Sequence, residues 1–288
     1  VSEGFEPFVE SPANRRSFLK KGLVAAAAFC VAGTGYPFLE AHWLRTKRYT
    51  ITVPSLGEAF SGFRIAFLSD FHHGPQIGLA PIRKAVATAN RAKPDVIVLG
   101  GDYVYREPDF IRPCFDALKN LRAPLGVYAV LGNHDHYEDP DLTKQCIKEA
   151  GFRELTNTGQ WLTRANHRLR IAGVGDLWED KQNLEAALGD AGNEDPCILV
   201  SHNPDYVEKI ANKRVGLVLS GHTHGGQVYL PGIGAPVVPS RYGNKYRYGL
   251  VKTPSTQVLV SCGIGTISPP VRFCCRPEVV VATGEMFR

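Results

Sequence analysis

Five short clusters in this chain carry residue types that bind metals: Ser69-Asp70-Phe71-His72, Gly100-Gly101-Asp102, Gly132-Asn133-His134-Asp135, Ser201-His202-Asn203 and Gly221-His222-Thr223-His224-Gly225-Gly226. Together they supply enough Asp, Asn and His to hold two divalent metals side by side. Mixed imidazole, carboxylate and amide ligands suit Mn, Fe or Zn, and the absence of thiolate argues against copper(I) or iron–sulfur. Asp70 and His72 stand two apart, as do His222 and His224, so in an extended chain the members of each pair point the same way. Two glycines before Asp102 let the backbone approach a metal closely, and Asn133 offers a neutral oxygen. One D-x-H, one H-x-H or one histidine ending a strand is usually a surface or core accident. Five such clusters in order, nearly all just past an apolar run, are where a site forms in an α/β protein.

The apolar runs are the elements that must position these residues. Arg48 to Val53 alternates like a short strand. Phe63–Leu68, Asp95–Leu99, Val127–Leu131, Leu169–Val174, Cys197–Val200, Val215–Leu219, Gln257–Val260 and Glu278–Ala282 have the length and Val/Ile/Leu content of strands buried on both faces. Pro81 to Ala92 reads as a helix, with Ile82, Ala85, Val86 and Ala89 on one face and a proline suited to its first turn. Asp109 to Leu121, Leu142 to Ala150 and Pro204 to Ala211 read the same way. Strands alternating with helices imply an α/β domain with parallel sheet. Towards the C-terminus strands follow one another without helices, which predicts a second, more antiparallel sheet. Arg241 to Tyr248 interleaves bases with aromatics and reads either as a twisted surface hairpin or as a stretch, with Tyr246 and Arg247, that meets a nucleotide or anionic head group.

With 288 residues, 44% apolar and 21% charged, the chain is of ordinary globular composition, and the absence of a repeat or long linker after residue 41 favours one domain there. The net charge of +5 is mild, and much of it lies in Arg15, Arg16, Lys20, Lys21, Arg45, Lys47 and Arg48. That distribution argues for a basic leader and against a nucleic-acid partner. Asn14-Arg15-Arg16-Ser17-Phe18-Leu19-Lys20-Lys21 precedes an uncharged stretch from Gly22 to Leu39. Residues 1–41 therefore resemble a twin-arginine export signal, with the export machinery as partner and residues 42–288 as the body. Asn14 stands where Ser or Thr is commoner. No clean cleavage site follows, so removal and retention as an anchor both stay open. Cys30 lies in the leader; the body cysteines Cys114, Cys146, Cys197, Cys262, Cys274 and Cys275 lie in apolar runs and read as buried thiols.

The ordered motifs D-x-H, G-D, G-N-H-D, H and G-H-x-H resemble those of the calcineurin-like metallophosphoesterases over about residues 60 to 285. Leu99-Gly100-Gly101-Asp102-Tyr103-Val104, Gly173-Val174-Gly175-Asp176-Leu177-Trp178, Ser201-His202-Asn203-Pro204-Asp205, Gly225-Gly226-Gln227 and Arg272 to Val279 are similar to the YaeI/YkuE-type phosphodiesterase subgroup. The resemblance implies a two-sheet β-sandwich flanked by helices, α/β/β/α, as a single catalytic domain. It implies a first metal on Asp70, His72 and His224, a second on Asn133, His202 and His222, and Asp102 bridging both. His134 then faces the substrate phosphate as the proton donor. The chemistry suits that arrangement: two metals about 3.5–4 Å apart clamp the attacking and leaving oxygens and acidify water to hydroxide.

One position departs from the pattern. Many phosphoprotein phosphatases of the family carry an Asp three residues after the bridging one, and here that residue is Tyr105. Purple acid phosphatases place an iron-ligating Tyr there but lack the His of D-x-H. Because His72 fills that role, Tyr105 is expected beside the ligands and not among them. His73 and His136 lie close in sequence to the site, as substrate contacts or as solvent-facing neighbours, Arg106 is a candidate to bind phosphate, Asp135 is a candidate to orient its neighbours, and Asp176 and Trp178 are candidates to line the cleft. The expected activity is hydrolysis of a phosphodiester or pyrophosphate, lipid-linked or nucleotide-linked, at the cell envelope. A UDP-2,3-diacylglucosamine pyrophosphatase facing the cytoplasm from a membrane tether and a broad phosphomonoesterase are the alternatives. A protein-binding scaffold would be expected to have lost ligands, and none is missing here.

Overall fold

The computed structural model describes residues 35–286. Its strands and helices, in order, are β1 (Arg45–Val53), β2 (Arg64–Leu68), α1 (Leu79–Arg91), β3 (Val96–Leu99), α2 (Ile111–Leu118), β4 (Val127–Ala129), α3 (Asn133–Glu138), α4 (Pro140–Glu149) and β5 (Arg153–Glu154). There follow β6 (Thr158–Arg164), β7 (His167–Gly173), α5 (Leu184–Leu188), β8 (Cys197–Val200), β9 (Leu217–Ser220), β10 (Gly249–Lys252), β11 (Gln257–Val260) and β12 (Glu278–Met286).

Two six-stranded sheets stack face to face, in the orders β1-β12-β2-β3-β4-β5 and β10-β11-β9-β8-β7-β6. Strand side chains alternate between faces, and here both faces are covered. Ile65, Phe67, Val96 and Val98 point between the sheets and meet Ile171, Ile198, Val200, Leu217 and Leu219. Ala66, Leu68, Ile97 and Leu99, one register off, pack outward on α1, α2 and α4 through Ile82, Ala85, Cys114 and Ile147. On the second sheet Ala172, Leu199 and Val218 pack outward on Ala187, Leu188, Tyr206 and Val207. Three apolar layers explain why the strands read as unbroken apolar runs. Each large aliphatic side chain so buried contributes roughly 1.5–3 kcal/mol. The fold is the expected α/β/β/α sandwich in a single domain.

Three local expectations are corrected. The second sheet is mostly parallel: β7–β8, β8–β9 and β9–β11 all run parallel, and only its two edge pairs are antiparallel. The short α5 lies in the β7–β8 crossover and loops with 3₁₀ turns carry the others, and β12 returns to the first sheet between β1 and β2. Pro204–Lys209 is a 3₁₀ turn, fixed at its start where Asn203 Oδ1 accepts the Asp205 N–H. No hairpin forms at 241–248; Gly243–Tyr246 is a 3₁₀ turn leading into β10, whose partner is β11.

The leader up to residue 34 lies outside the described residues. Residues 35–41 form a helical segment that packs on the body: Arg272 N–H donates to Pro37 O at 2.9 Å, and Glu40 accepts from the Cys274 and Cys275 amides. Among the described residues no helix is long and apolar enough to cross a membrane. The body cysteines are free; five are buried, but Cys274 is exposed, because it lies on the outer side of the loop that Glu40 pins.

Candidate metal centre

The C-terminal ends of β2, β3, β4, β8 and β9 converge from both sheets, so five loops deliver the five motifs to one place. The way the side chains converge differs from the expected extended chain. Asp70, His72, Asp102, His222 and His224 all have positive φ, between 47° and 68°. This left-handed conformation is uncommon outside glycine and costs roughly 1–3 kcal/mol per residue, which only a packed surround can hold. Side chains two apart therefore converge because the backbone turns sharply, not because it stays straight.

Asp70, His72, Asp102 and His224 form one group whose ligand atoms all lie within 4.8 Å of one another, and Asp102, His202 and His222 form a second that shares Asp102. His72 Nε2 stands 2.9 Å from His224 Nε2 and 3.4 Å from Asp102 Oδ2. His202 Nε2 lies 3.1 Å from that same oxygen. Asn133 Oδ1 is 2.9 Å from His222 Nδ1, which brings it to the second group. All seven of these residues are buried. Around them the support is specific. Gly100 O lies 2.6 Å from His202 Nδ1, so that nitrogen carries the proton and Nε2 faces the cluster. Asp70 Oδ1 accepts the His222 amide, tying the two strand ends together.

The cluster has the electrostatics of a cation site. Buried Asp70 Oδ2, His72 Nδ1, His222 Nε2 and His224 Nδ1 have no hydrogen-bond partner among the described residues. Two imidazole Nε2 atoms facing each other at 2.9 Å are stable only with a proton or a metal between the rings. Burial lowers His72 and His222 to about 3 and holds His224 well below its usual value, so all three are neutral, as ligands must be. Burial also opposes charge on His202, yet the Asp102 carboxylate beside it holds it well above the usual value. Burial raises Asp70 to about 6. The donor set and its unpaired atoms fit divalent metal ions.

His134 sits at the start of α3, with its amide donating to Asp102 Oδ1 at 2.9 Å. Its ring is half-buried and lies edge-on to His72, Tyr105 and Tyr137, at centroid distances of 4.9, 5.1 and 5.4 Å. Tyr105 thus stands beside both His72 and His134. Although burial opposes it, hydrogen bonding from Arg106 and Ser268 lowers its phenol.

The candidates for substrate contact separate. Arg106 is exposed on the rim, its guanidinium 4.9 Å from the Tyr105 ring centroid and 3.4 Å from Ser268 Oγ. His73 is turned away from the cluster: it is buried, its Nδ1 lies 2.8 Å from Ile77 O, and it packs on Phe110. Tyr246 is wholly buried in the layer outside the second sheet and bonded to Glu208. Arg247 braces the ligand loop by donating to Gly225 O at 2.9 Å while its guanidinium covers Tyr229. Sequence spacing places these residues near the site but does not reveal which way a turn sends them.

Other residues of the motif segments support the ligand loops. Asp135 Oδ2 accepts the Asp102 and Gly132 amides and its Oδ1 accepts the Tyr103 amide, so one side chain locks two motif loops. Burial and the Asp102 charge push it up to about 8. Arg272 is fully buried and donates to the carbonyls of Cys275, Cys262 and Gly265 beneath the His224 loop. Trp178, half in solvent, meets His222 edge-on at 4.3 Å, and Asp176 is buried below it with Oδ1 accepting the Trp178 amide.

A sandwich of two mixed sheets with an Asp/His metal cluster at the strand ends defines a metallophosphoesterase. Residues 63–226 match the calcineurin-like phosphoesterase family, and the chain belongs to it. It is 35% identical over 282 residues to "Uncharacterized metallophosphoesterase YkuE" of Bacillus subtilis, covering 94% of this chain and 97% of that one. It is 31% identical over 277 residues to "Phosphodiesterase YaeI" of Escherichia coli, covering 93% and 98%. It is 30% identical over 242 residues to "Transmembrane protein with metallophosphoesterase domain" of Danio rerio, covering 80% of this chain and 54% of that one. The chain is accordingly a metal-dependent phosphoric ester hydrolase.

Proposed function

We propose that this enzyme hydrolyses a phosphodiester or pyrophosphate bond with two divalent metals, at the cell envelope. The observation that carries the reading is the shared Asp102: its carboxylate belongs to both ligand groups, and it also receives the amide of His134. When bound, the metals would supply an acidified water and positive charge for the phosphoryl oxygens. Asp70, His72 and His224 would hold one metal, and Asn133, His202 and His222 the other, with Asp102 between them.

The chain's own residues do the rest. Of the five motif imidazoles, His72, His134, His202, His222 and His224, only His134 is not buried, and its place over Asp102 suits it to give a proton to the leaving oxygen. Packing against three rings limits its orientations without a carboxylate partner. Tyr105, where related phosphatases have an acid, leaves the rim less negative. Without that acid His134 also lacks the carboxylate partner of the phosphoprotein phosphatases, which disfavours that kind of monoesterase. Arg106 on the same rim presents a planar cationic fork to a second phosphate, as a pyrophosphate would require.

Exposed Tyr36, Phe38 and Leu39 at the end of the twin-arginine-like leader, with Trp43 just after it, suit a body held close to a membrane. The similarity to a protein named for its transmembrane part supports the same reading. The test is a panel of phosphomonoesters, phosphodiesters and UDP-sugar pyrophosphates assayed with Mn, Fe and Zn. Diester or pyrophosphate turnover should exceed monoester turnover; a monoester preference would overturn the reading.

A further inference from the structure

An apolar cleft of about 390 Å³ opens beside the metal centre, between the loop after the His222/His224 motif and the loop 267–271. Val228, Pro236, Val237, Ile267, Pro269 and Val271 form its walls, and His224 is common to the cleft and the ligand cluster. Ser268 joins the two from the other side, because it lines the cleft and also meets Arg106 on the rim. The size falls within the roughly 300–1,000 Å³ of small-molecule sites. The two loops are held as a unit: Gln227 donates to Ile267 O and Pro269 O and accepts the Ile267 amide at 2.7 Å.

We propose that this cleft binds an acyl or alkyl chain attached to the phosphate being hydrolysed, so that the substrate is an amphipathic, lipid-type phosphoester. The inference rests on the phosphodiesterase reading above and adds where the apolar part of the substrate lies. Two features of the surroundings point to a chain drawn from a membrane. Val237, on the cleft wall, is 74% exposed and Ile233 in the same loop is 80% exposed, so the mouth presents aliphatic side chains to solvent. The N-terminal segment with exposed Phe38 and Leu39 is docked onto the loop that continues the cleft wall, through Arg272 N–H to Pro37 O and Tyr36 against Phe273. Cleft mouth and leader exit therefore belong to one apolar side of the molecule.

The test uses p-nitrophenyl alkyl phosphodiesters with methyl, butyl and octyl groups, below their micelle concentrations, on the metal-loaded enzyme. The leaving group is constant, so only the alkyl chain changes. We expect kcat/KM to rise with chain length by up to fourfold per methylene that becomes buried, with the gain in KM and not in kcat. Val237→Asp should collapse the octyl-to-methyl ratio at least tenfold, whereas Met286→Asp, at the opposite end of β12, should preserve it. A flat chain-length profile in an enzyme that turns over all three esters would overturn the cleft assignment, as would an unchanged ratio in V237D. Failure to hydrolyse any of the three would instead overturn the phosphodiesterase reading itself.

Discussion

Replacing Gly132 by alanine inserts one methyl group into the centre of the site. Gly132 has φ −107° and ψ 178°, an extended conformation that alanine adopts without strain, so any penalty comes from what the methyl meets. A Cβ there would stand 2.7 Å from His202 Cε1 and 2.8 Å from Asp102 N, and closer still to Asp102 Oδ1, against 3.4–4 Å for ordinary contact. The His202 ring must retreat by roughly 0.7 Å, and the carboxylate by more, in an interior with no slack. Neither can move freely, because Asp102 Oδ1 accepts the His134 amide and His202 Nδ1 is held on Gly100 O. Overpacking of this kind costs about 1–3 kcal/mol of stability, and a 1 Å misplacement of reacting groups costs on the order of 100-fold in rate. The variant should therefore stay folded, retain less metal after dialysis, and lose about 100-fold in kcat/KM on bis-p-nitrophenyl phosphate. Circular dichroism, bound-metal analysis and steady-state kinetics read these in parallel. Gly192→Ala, whose Cβ would meet only Asp195 Oδ2 at 3.7 Å, is the control. Full metal content with activity within about twofold of the parent would refute the placement of Asp102 and His202.

Further outcomes follow from the same geometry. His134→Ala should keep its metals and lose at least about 100-fold in kcat, as expected for removal of a proton donor; undiminished turnover would exclude that role. Chelation should lower the unfolding temperature by roughly 5–10 °C, since ligand at 100 times its Kd stabilises the native state by about 2.7 kcal/mol; an unchanged transition would mean the buried histidines hold no ion. Tyr105→Phe should leave metal content unchanged, because the Tyr105 ring stands edge-on beside His72 and His134 and the phenylalanine ring keeps that packing; a visible tyrosinate–iron absorption lost in this variant would make Tyr105 a ligand. Arg272→Met strands the buried carbonyls of Cys262, Gly265 and Cys275 and should lower the urea-unfolding free energy by at least about 3 kcal/mol; a loss under about 1 kcal/mol would mean water or a neighbour replaces the guanidinium.

The apolar runs and the order of the motifs were legible because each core strand is buried on both faces and each motif follows a strand directly. The face that α1 buries, Ile82, Ala85, Val86 and Ala89, is equally plain from its spacing. What stayed hidden was set by long-range packing. A loop crossover looks like a hairpin connection in sequence, so the parallel pairing of β9 with β11 has no sign in the sequence. Side-chain direction at a left-handed turn has no period, so His73 beside His72 points at Ile77 O and Phe110 while its neighbour joins the cluster. Tyr246 sits in a stretch that looks exposed and is wholly buried, because its hydroxyl finds Glu208 from a distant loop. Arg272 opens a segment that carries the family resemblance, but its burial beneath the His224 loop has no local sign, because its partners are the carbonyls of Cys262, Gly265 and Cys275.

The most direct test of the central claim is to titrate the metal-free enzyme with Mn²⁺ while measuring bound metal and hydrolysis of bis-p-nitrophenyl phosphate on the same samples. The account predicts that hydrolysis appears as the second equivalent binds and reaches its plateau there. A protein that holds two equivalents and hydrolyses neither this diester nor p-nitrophenyl phosphate would contradict it.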